Sequence, residues 1–376
     1  MKEELLIVIF LLLGPILDVL AFYGIEINIV FRGLFLLYII YNIVRKKKDR
    51  KLIYLILGFS IGQFLFQKFY LNYSIVNTVS SIFKFIYLPC SILYFRNFCF
   101  KKYNRDKIIL FILSTYIIIF LLSYLTKIGV SAYLDKDGKT GFKGLFSSIN
   151  EFSAIVIGLL LPALVYLKKN KNYLLIGLLL LGSILCSFLS GTKVLFGGII
   201  IVICYFLFSE RKQIISKFGK KKVLLTTMIF IGIAILAFFK TRVYNNMLIQ
   251  QSFFKANRII SYDFLNYVLF NDRLTFLVSN FNAYKESLLN IICGLGYNYA
   301  SVKMVEIDIF DILFRYGIIG LSVFIITFMK IDYKKLDKYE IFTIIMLLLI
   351  SLTSGHVLIY PNVCIYIALM NSKKKT

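Results

Sequence analysis

The sequence predicts an all-α polytopic membrane protein, and three observations carry that prediction. Hydrophobic residues make up 59% of the 376 and aromatic ones 17%, whereas only 17% are charged. Mean hydropathy is +0.81, more than a domain with a polar shell can carry. Apolar runs of about 17 to 25 residues, long enough to cross roughly 30 Å of hydrocarbon, recur from end to end between short polar clusters. Barrel strands would instead alternate over about 10 residues, so the predicted spans are helices.

The first run, "MKEELLIVIFLLLGPILDVLAFY", has no small-x-small cleavage site and is long enough to span, so it reads as a retained helix rather than a cleaved signal. The runs that follow are 27–44, 52–69, 75–95, 108–126, 149–167, 173–190, 194–208, 223–239, 311–329, 341–356 and 358–370. With the first run at 5–23 they make twelve. The last two are short and flank "SGHVLIYP", which suggests a partly re-entrant arrangement.

Charge sets the orientation. A net charge of +25 would point to nucleic acid in a soluble protein, yet here the basic residues cluster in short connections, and no nucleic-acid partner is expected. The clusters are "RKKKDRK" (45–51), "RNFCFKKYNRDK" (96–107), "KKNKN" (168–172), "ERKQIISKFGKKK" (210–222), "KIDYKKLDK" (330–338) and the tail "SKKKT". Two crossings separate each cluster from the next, so all six can be cytoplasmic, with both termini inside the cytoplasmic membrane. The domain plan is then spans 1–9 over 1–239, an external helical subdomain over 240–310, and spans 10–12 with a cytoplasmic tail over 311–376. The external segment is roughly 70 residues, too long for a simple connection. Its aromatic-rich, helically periodic sequence predicts amphipathic helices lying on the outer surface and capping a cavity. Cys90, Cys99, Cys186, Cys204, Cys293 and Cys364 show no metal-ligand spacing, and only Cys293 falls on the external side, so neither a metal site nor a disulfide framework is expected.

Ionisable groups in or beside spans are expensive and therefore informative. Asp18, Arg32, Lys68, Lys84, Lys193, Arg315 and His356 qualify. Arg32 and Lys68 lie near outer helix ends, where snorkelling to the interface is as good an explanation as ligand binding. Lys84 is mid-span, and either Asp18 or a substrate phosphate would satisfy it. The single histidine, His356, cannot make a metal site and reads equally as a buried imidazole or a catalytic one. In "EIDIFDILFRYGIIG" (306–320), spacing places Asp308, Asp311 and Arg315 on one helix face, with Asp311 and Arg315 as an i,i+4 pair. Glu306 is left at the aqueous boundary, free to face a cavity.

Four stretches together resemble the O-antigen ligase and polysaccharide polymerase superfamily: "FSSINEFSA" (146–154), "SGTK" (190–193), "RLTFLVSNFNAYKESLLNIICGLGY" (273–297) and "EIDIFDILFRYGIIG". The resemblance implies a GT-C-like, metal-independent and cofactor-free glycosyltransferase acting at the outer membrane face. Its implied substrate is an undecaprenyl-pyrophosphate-linked oligosaccharide. A flippase and a chain-length regulator are the implied protein partners, and the lipid bilayer the implied medium. It implies pyrophosphate binding by Arg273, by Lys193 where an arginine is common, and by the intramembrane cations Lys84 and Arg32. Asn150, Glu151 and Arg315 are further implied substrate contacts. Glu306 stands where ligases of this type carry a histidine, eleven residues before Gly317, and is the implied base, with Asp308 and His356 as the other catalytic candidates. The absence of histidine there favours a polymerase of capsular, exopolysaccharide or O-antigen repeats over a ligase that attaches finished polymer. A flippase for lipid-linked sugars would share the helices and cations but would not need the external subdomain.

Overall fold

The computed structural model describes residues 2–25, 27–132, 141–218, 244–246, 248, 273–300, 304–355 and 357–373. Two compact units emerge, one from residues 1–108 and 263–376, the other from 109–262. Strand is confined, among the described residues, to one short antiparallel pair, β1 (Val130–Ser131) with β2 (Phe142–Gly144). The rest of the regular structure is helical.

The first unit contains α1 (Lys2–Phe22), α2 (Ile27–Arg45), α3 (Arg50–Leu65) continued by a π turn (Phe66–Tyr70), and α4 (Ile75–Arg96). The second contains most of α5 (Arg105–Leu125), with α6 (Ile149–Lys169), α7 (Tyr173–Ser190) and α8 (Lys193–Phe218). The chain re-enters the first unit with α9 (Arg273–Tyr284), α10 (Leu288–Cys293), α11 (Asp308–Phe328), α12 (Lys338–Thr353) and α13 (Pro361–Met370). Among the described residues nine helices are long and apolar enough to cross a membrane. They match the expected spans one to eight and ten; the expected span 223–239 lies outside the described residues.

The two remaining expected spans are short helices that fall outside those nine. Helix α12 has 16 residues and α13 only ten, about 24 and 15 Å at 1.5 Å per residue, short of the roughly 30 Å of a bilayer core. All ten residues of α13 are buried, and it packs along α4. The pair is a broken hairpin: α12 runs inward from Lys338, residues 354, 355 and 357–360 are non-helical, and α13 returns to the end where α12 began. Buried non-helical backbone of this kind requires protein partners for its polar groups.

That shared end gathers the N-terminus, the connections and the C-terminal segment of the first unit. Glu4 Oε1 accepts three consecutive amides, from Lys101, Lys102 and Tyr103, at 3.0, 2.8 and 2.8 Å. Arg105 pairs with Glu340 and donates to the carbonyls of Met370 (3.0 Å) and Ser372 (3.2 Å). Lys373 exchanges backbone hydrogen bonds with Phe98 and Phe100, and Lys46 pairs with Glu3. Four of the six basic clusters therefore meet on one side of this unit. In the second unit Lys168 pairs with Glu210, which brings the other two together and makes α6 and α8 run parallel. Glu4→Ala is expected to cost about 1–3 kcal/mol by removing the buried carboxylate that accepts these three amides, seen as a lower melting temperature and faster proteolysis at 98–105.

At the opposite end of the first unit α11 is bent. Gly317 has φ 67° and ψ −171°, which breaks the helix within its buried stretch. The carbonyls released there are taken by the chain after α10: Leu295 N donates to Phe314 O at 2.7 Å and Gly296 N to Arg315 O at 3.1 Å. A Cβ on Gly317 would lie 2.1 Å from Ile292 O, and one on Gly294 would lie 2.4 Å from the Arg315 carbonyl, so only glycine permits this approach. Gln63 holds Cys293 O at 2.9 Å, and Gln67, in the π turn, accepts from Tyr297 N at 3.2 Å, locking the 293–297 segment to α3.

Candidate active site

The described part of the expected external subdomain does more than lie on a surface. Helices α9 and α10 and the segments 294–300 and 304–307 pack a small core of their own, Tyr284, Tyr299, Val305 and Ile307 around Phe314 of α11. That core fixes where Arg273, the first residue of α9, points. Arg273 is buried, and its guanidinium donates to Glu306 Oε2 at 2.9 Å, to Ser354 O at 3.1 Å and to Thr353 O. The two carbonyls are the unpaired end of α12, where a cation also suits the helix dipole.

Glu306 is therefore not free, as its boundary position had suggested; it is the counter-ion of Arg273. Its side chain remains 26% exposed. Its backbone is in the left-handed region at φ 58°, an uncommon conformation for a residue with a Cβ. Gly355, φ 63°, fits beneath it: a Cβ there would lie 2.1 Å from Glu306 O. Sparsely populated backbone held by surrounding structure is a feature of functional sites.

Asp308 is fully buried, and its Oδ2 accepts from Val357 N and Leu358 N, both at 2.7 Å. These two amides of the broken hairpin are the partners that let the carboxylate be buried. Arg273 thus holds the carbonyls of Thr353 and Ser354, Asp308 the amides of Val357 and Leu358, and Glu306 covers Gly355. His356 lies outside the described residues.

The expected Asp311–Arg315 ion pair does not form. Tyr299 intervenes: its hydroxyl donates to Asp311 Oδ1 and accepts from Val305 N at 3.0 Å, while its ring lies 5.6 Å from the Arg315 guanidinium. Burial, reinforced by the Asp311 carboxylate, pushes the Tyr299 phenol above its ordinary range, so it stays a donor.

The other predicted residues fall elsewhere. Arg32 pairs with Asp18, whose second oxygen accepts from Asn362 at 2.6 Å, tying α2 to α1 and α13. Lys84 occupies an exposed position on α4, and Lys68 is half-buried in the π turn. In the second unit Asn150 and Glu151 form the first turn of α6, where Ser148 caps the helix by accepting from Glu151 N at 3.4 Å. Lys193 opens α8 after a tight turn in which Gly191 has φ 66° and accepts from Asn246 at 3.2 Å. Because α6 and α8 run parallel, Lys193 starts its helix at the same end of that unit as Asn150 and Glu151. Sequence reasoning missed Gly355 as a site residue, although a glycine just past an apolar helix is the ordinary C-terminal signal. Tyr299 and the Thr353 and Ser354 carbonyls carried no such signal.

No known family model matches the chain, and no curated protein matches it significantly.

Proposed function

We propose that the protein is a polymerase of undecaprenyl-pyrophosphate-linked oligosaccharide repeat units, working on the outer face of the cytoplasmic membrane. The observation that carries the reading is Glu306: a partly exposed carboxylate on left-handed backbone, gripped by a buried arginine, at the end of the unit opposite the basic clusters. By the distribution of lysine and arginine, those clusters face the cytoplasm and Glu306 faces out.

In this reading a terminal sugar hydroxyl of one lipid-linked chain gives its proton to Glu306 as its oxygen attacks the anomeric carbon of another. A glycosidic C–O bond forms, the anomeric carbon–phosphate oxygen bond breaks, and undecaprenyl pyrophosphate leaves. Arg273 keeps the carboxylate aimed. Asp308 fixes the adjacent turn. General-base catalysis of this kind contributes about 10²–10⁴-fold.

The test is elongation. Purified protein in nanodiscs, given only lipid-linked repeats, is expected to build a ladder of products one repeat apart. Transfer confined to a lipid-free acceptor would identify a ligase, and translocation without any new glycosidic bond would identify a flippase.

A further inference from the structure

Three arginines are more than nine-tenths buried among the described residues: Arg105, Arg273 and Arg315, at 3, 7 and 9% exposure. Two of them are neutralised. Arg105 has Asp106 at 2.9 Å as well as Glu340, and Arg273 has Glu306 at 2.9 Å. Arg315 makes no ion pair within 4 Å among the described residues. Its Nη2 donates to the Met304 thioether at 3.1 Å, a weak acceptor, and its plane sits near the Tyr299 ring. Its Nε is buried with no hydrogen-bond partner. The carboxylate one turn earlier, Asp311, takes the Tyr299 hydroxyl instead.

A buried guanidinium with no ion pair among the described residues is costly, and gains from an anion that arrives later. We infer that Arg315 is the cation of a phosphate-ester binding site, formed by Arg315, Tyr299 and Met304 at the entry to α11. Three features select phosphate. The guanidinium fork matches its oxygens. The two described side chains it touches, Tyr299 and Met304, are aromatic and apolar, which suits an anion attached to a lipid. The position is two turns into a helix long and apolar enough to cross a membrane, so a lipid-borne group can reach it from the bilayer. The backbone is also built to hold the group in place, since the Arg315 carbonyl is pinned by Gly296 N at 3.1 Å. Resting on the polymerase reading, the site takes the diphosphate of the lipid carrier and leaves Arg273 to Glu306. The headgroup of an anionic phospholipid offers the same chemistry.

The experiment uses the full chain in nanodiscs of neutral lipid, with inorganic pyrophosphate as probe, and a parallel set in which native mass spectrometry counts bound phosphatidylglycerol. Pyrophosphate binding to wild type that weakens at least about tenfold in Arg315→Met supports a substrate diphosphate site. Retained phosphatidylglycerol that is lost in Arg315→Met, with no pyrophosphate binding, supports a headgroup site. Arg315→Lys, which keeps the charge without the fork, is expected to fall between wild type and Arg315→Met and serves if the methionine variant does not fold. Binding of both probes unchanged in the variants, or absent from wild type, overturns the site. Loss of pyrophosphate binding in Arg315→Met by a protein that elongates no glycan keeps the site and removes the polymerase; elongation that is untouched by Arg315→Met does the reverse.

Discussion

Glu306→Gln is expected to slow glycan elongation by about 10²–10⁴-fold while the protein stays folded. The substitution is nearly isosteric, and the amide oxygen can still accept from Arg273, so the contact that positions the side chain survives in weakened form. What disappears is the ability to take a proton. Because the Glu306 side chain is 26% exposed, the ion pair is partly solvated, and its loss should lower stability by no more than about 1 kcal/mol. Initial rates on lipid-linked repeats, measured beside a thermal melt of the same preparation, separate the two effects. An equal fall in both would mean that Glu306 serves only the fold.

Arg273→Ala is expected to strike both. It leaves the Thr353 and Ser354 carbonyls without a donor at the end of α12 and removes the counter-ion of Glu306. Removing one partner of a buried pair typically costs about 3–5 kcal/mol, and the partial exposure of Glu306 puts this case at about 3. Elongation should vanish with it, because the Thr353 and Ser354 carbonyls and the Glu306 carboxylate lose their common support. Arg273→Lys should recover part of the stability, since an ammonium can satisfy one carbonyl and the carboxylate. It cannot span all three acceptors in the planar geometry of the guanidinium. A melting curve and an elongation rate for each variant give the comparison.

The spans were legible because hydropathy over 18 or more residues is a local property, and α1 to α8 begin and end close to where the apolar runs do. The broken hairpin was legible only as short runs around "SGHVLIYP"; its depth depends on α4 and on Asp308, far away in sequence. The bend in α11 was not legible, since glycine is common in membrane helices and nothing local to Gly317 reveals that Ile292 presses against it. At the site, helical spacing pointed to Asp311 with Arg315, but spacing reports only which groups can meet. Tyr299, twelve residues before Asp311, supplied a better donor for a buried carboxylate than a long side chain one turn along. Arg273 and Glu306 were both chosen from the sequence as functional. That they touch was hidden, because 33 residues separate them and no periodicity connects the two.

The central physical claim is that Arg273 acts through Glu306, and a double-mutant cycle on elongation rate tests it most directly. Wild type, Arg273→Lys, Glu306→Gln and the double variant are compared on the same lipid-linked repeat. The account predicts that Arg273→Lys slows the Glu306→Gln protein far less than it slows wild type, because once the base is gone the arginine has only the Thr353 and Ser354 carbonyls left to hold. Effects that multiply, leaving the double variant slower than either parent by the product of the two losses, would show that the residues act separately and would contradict it.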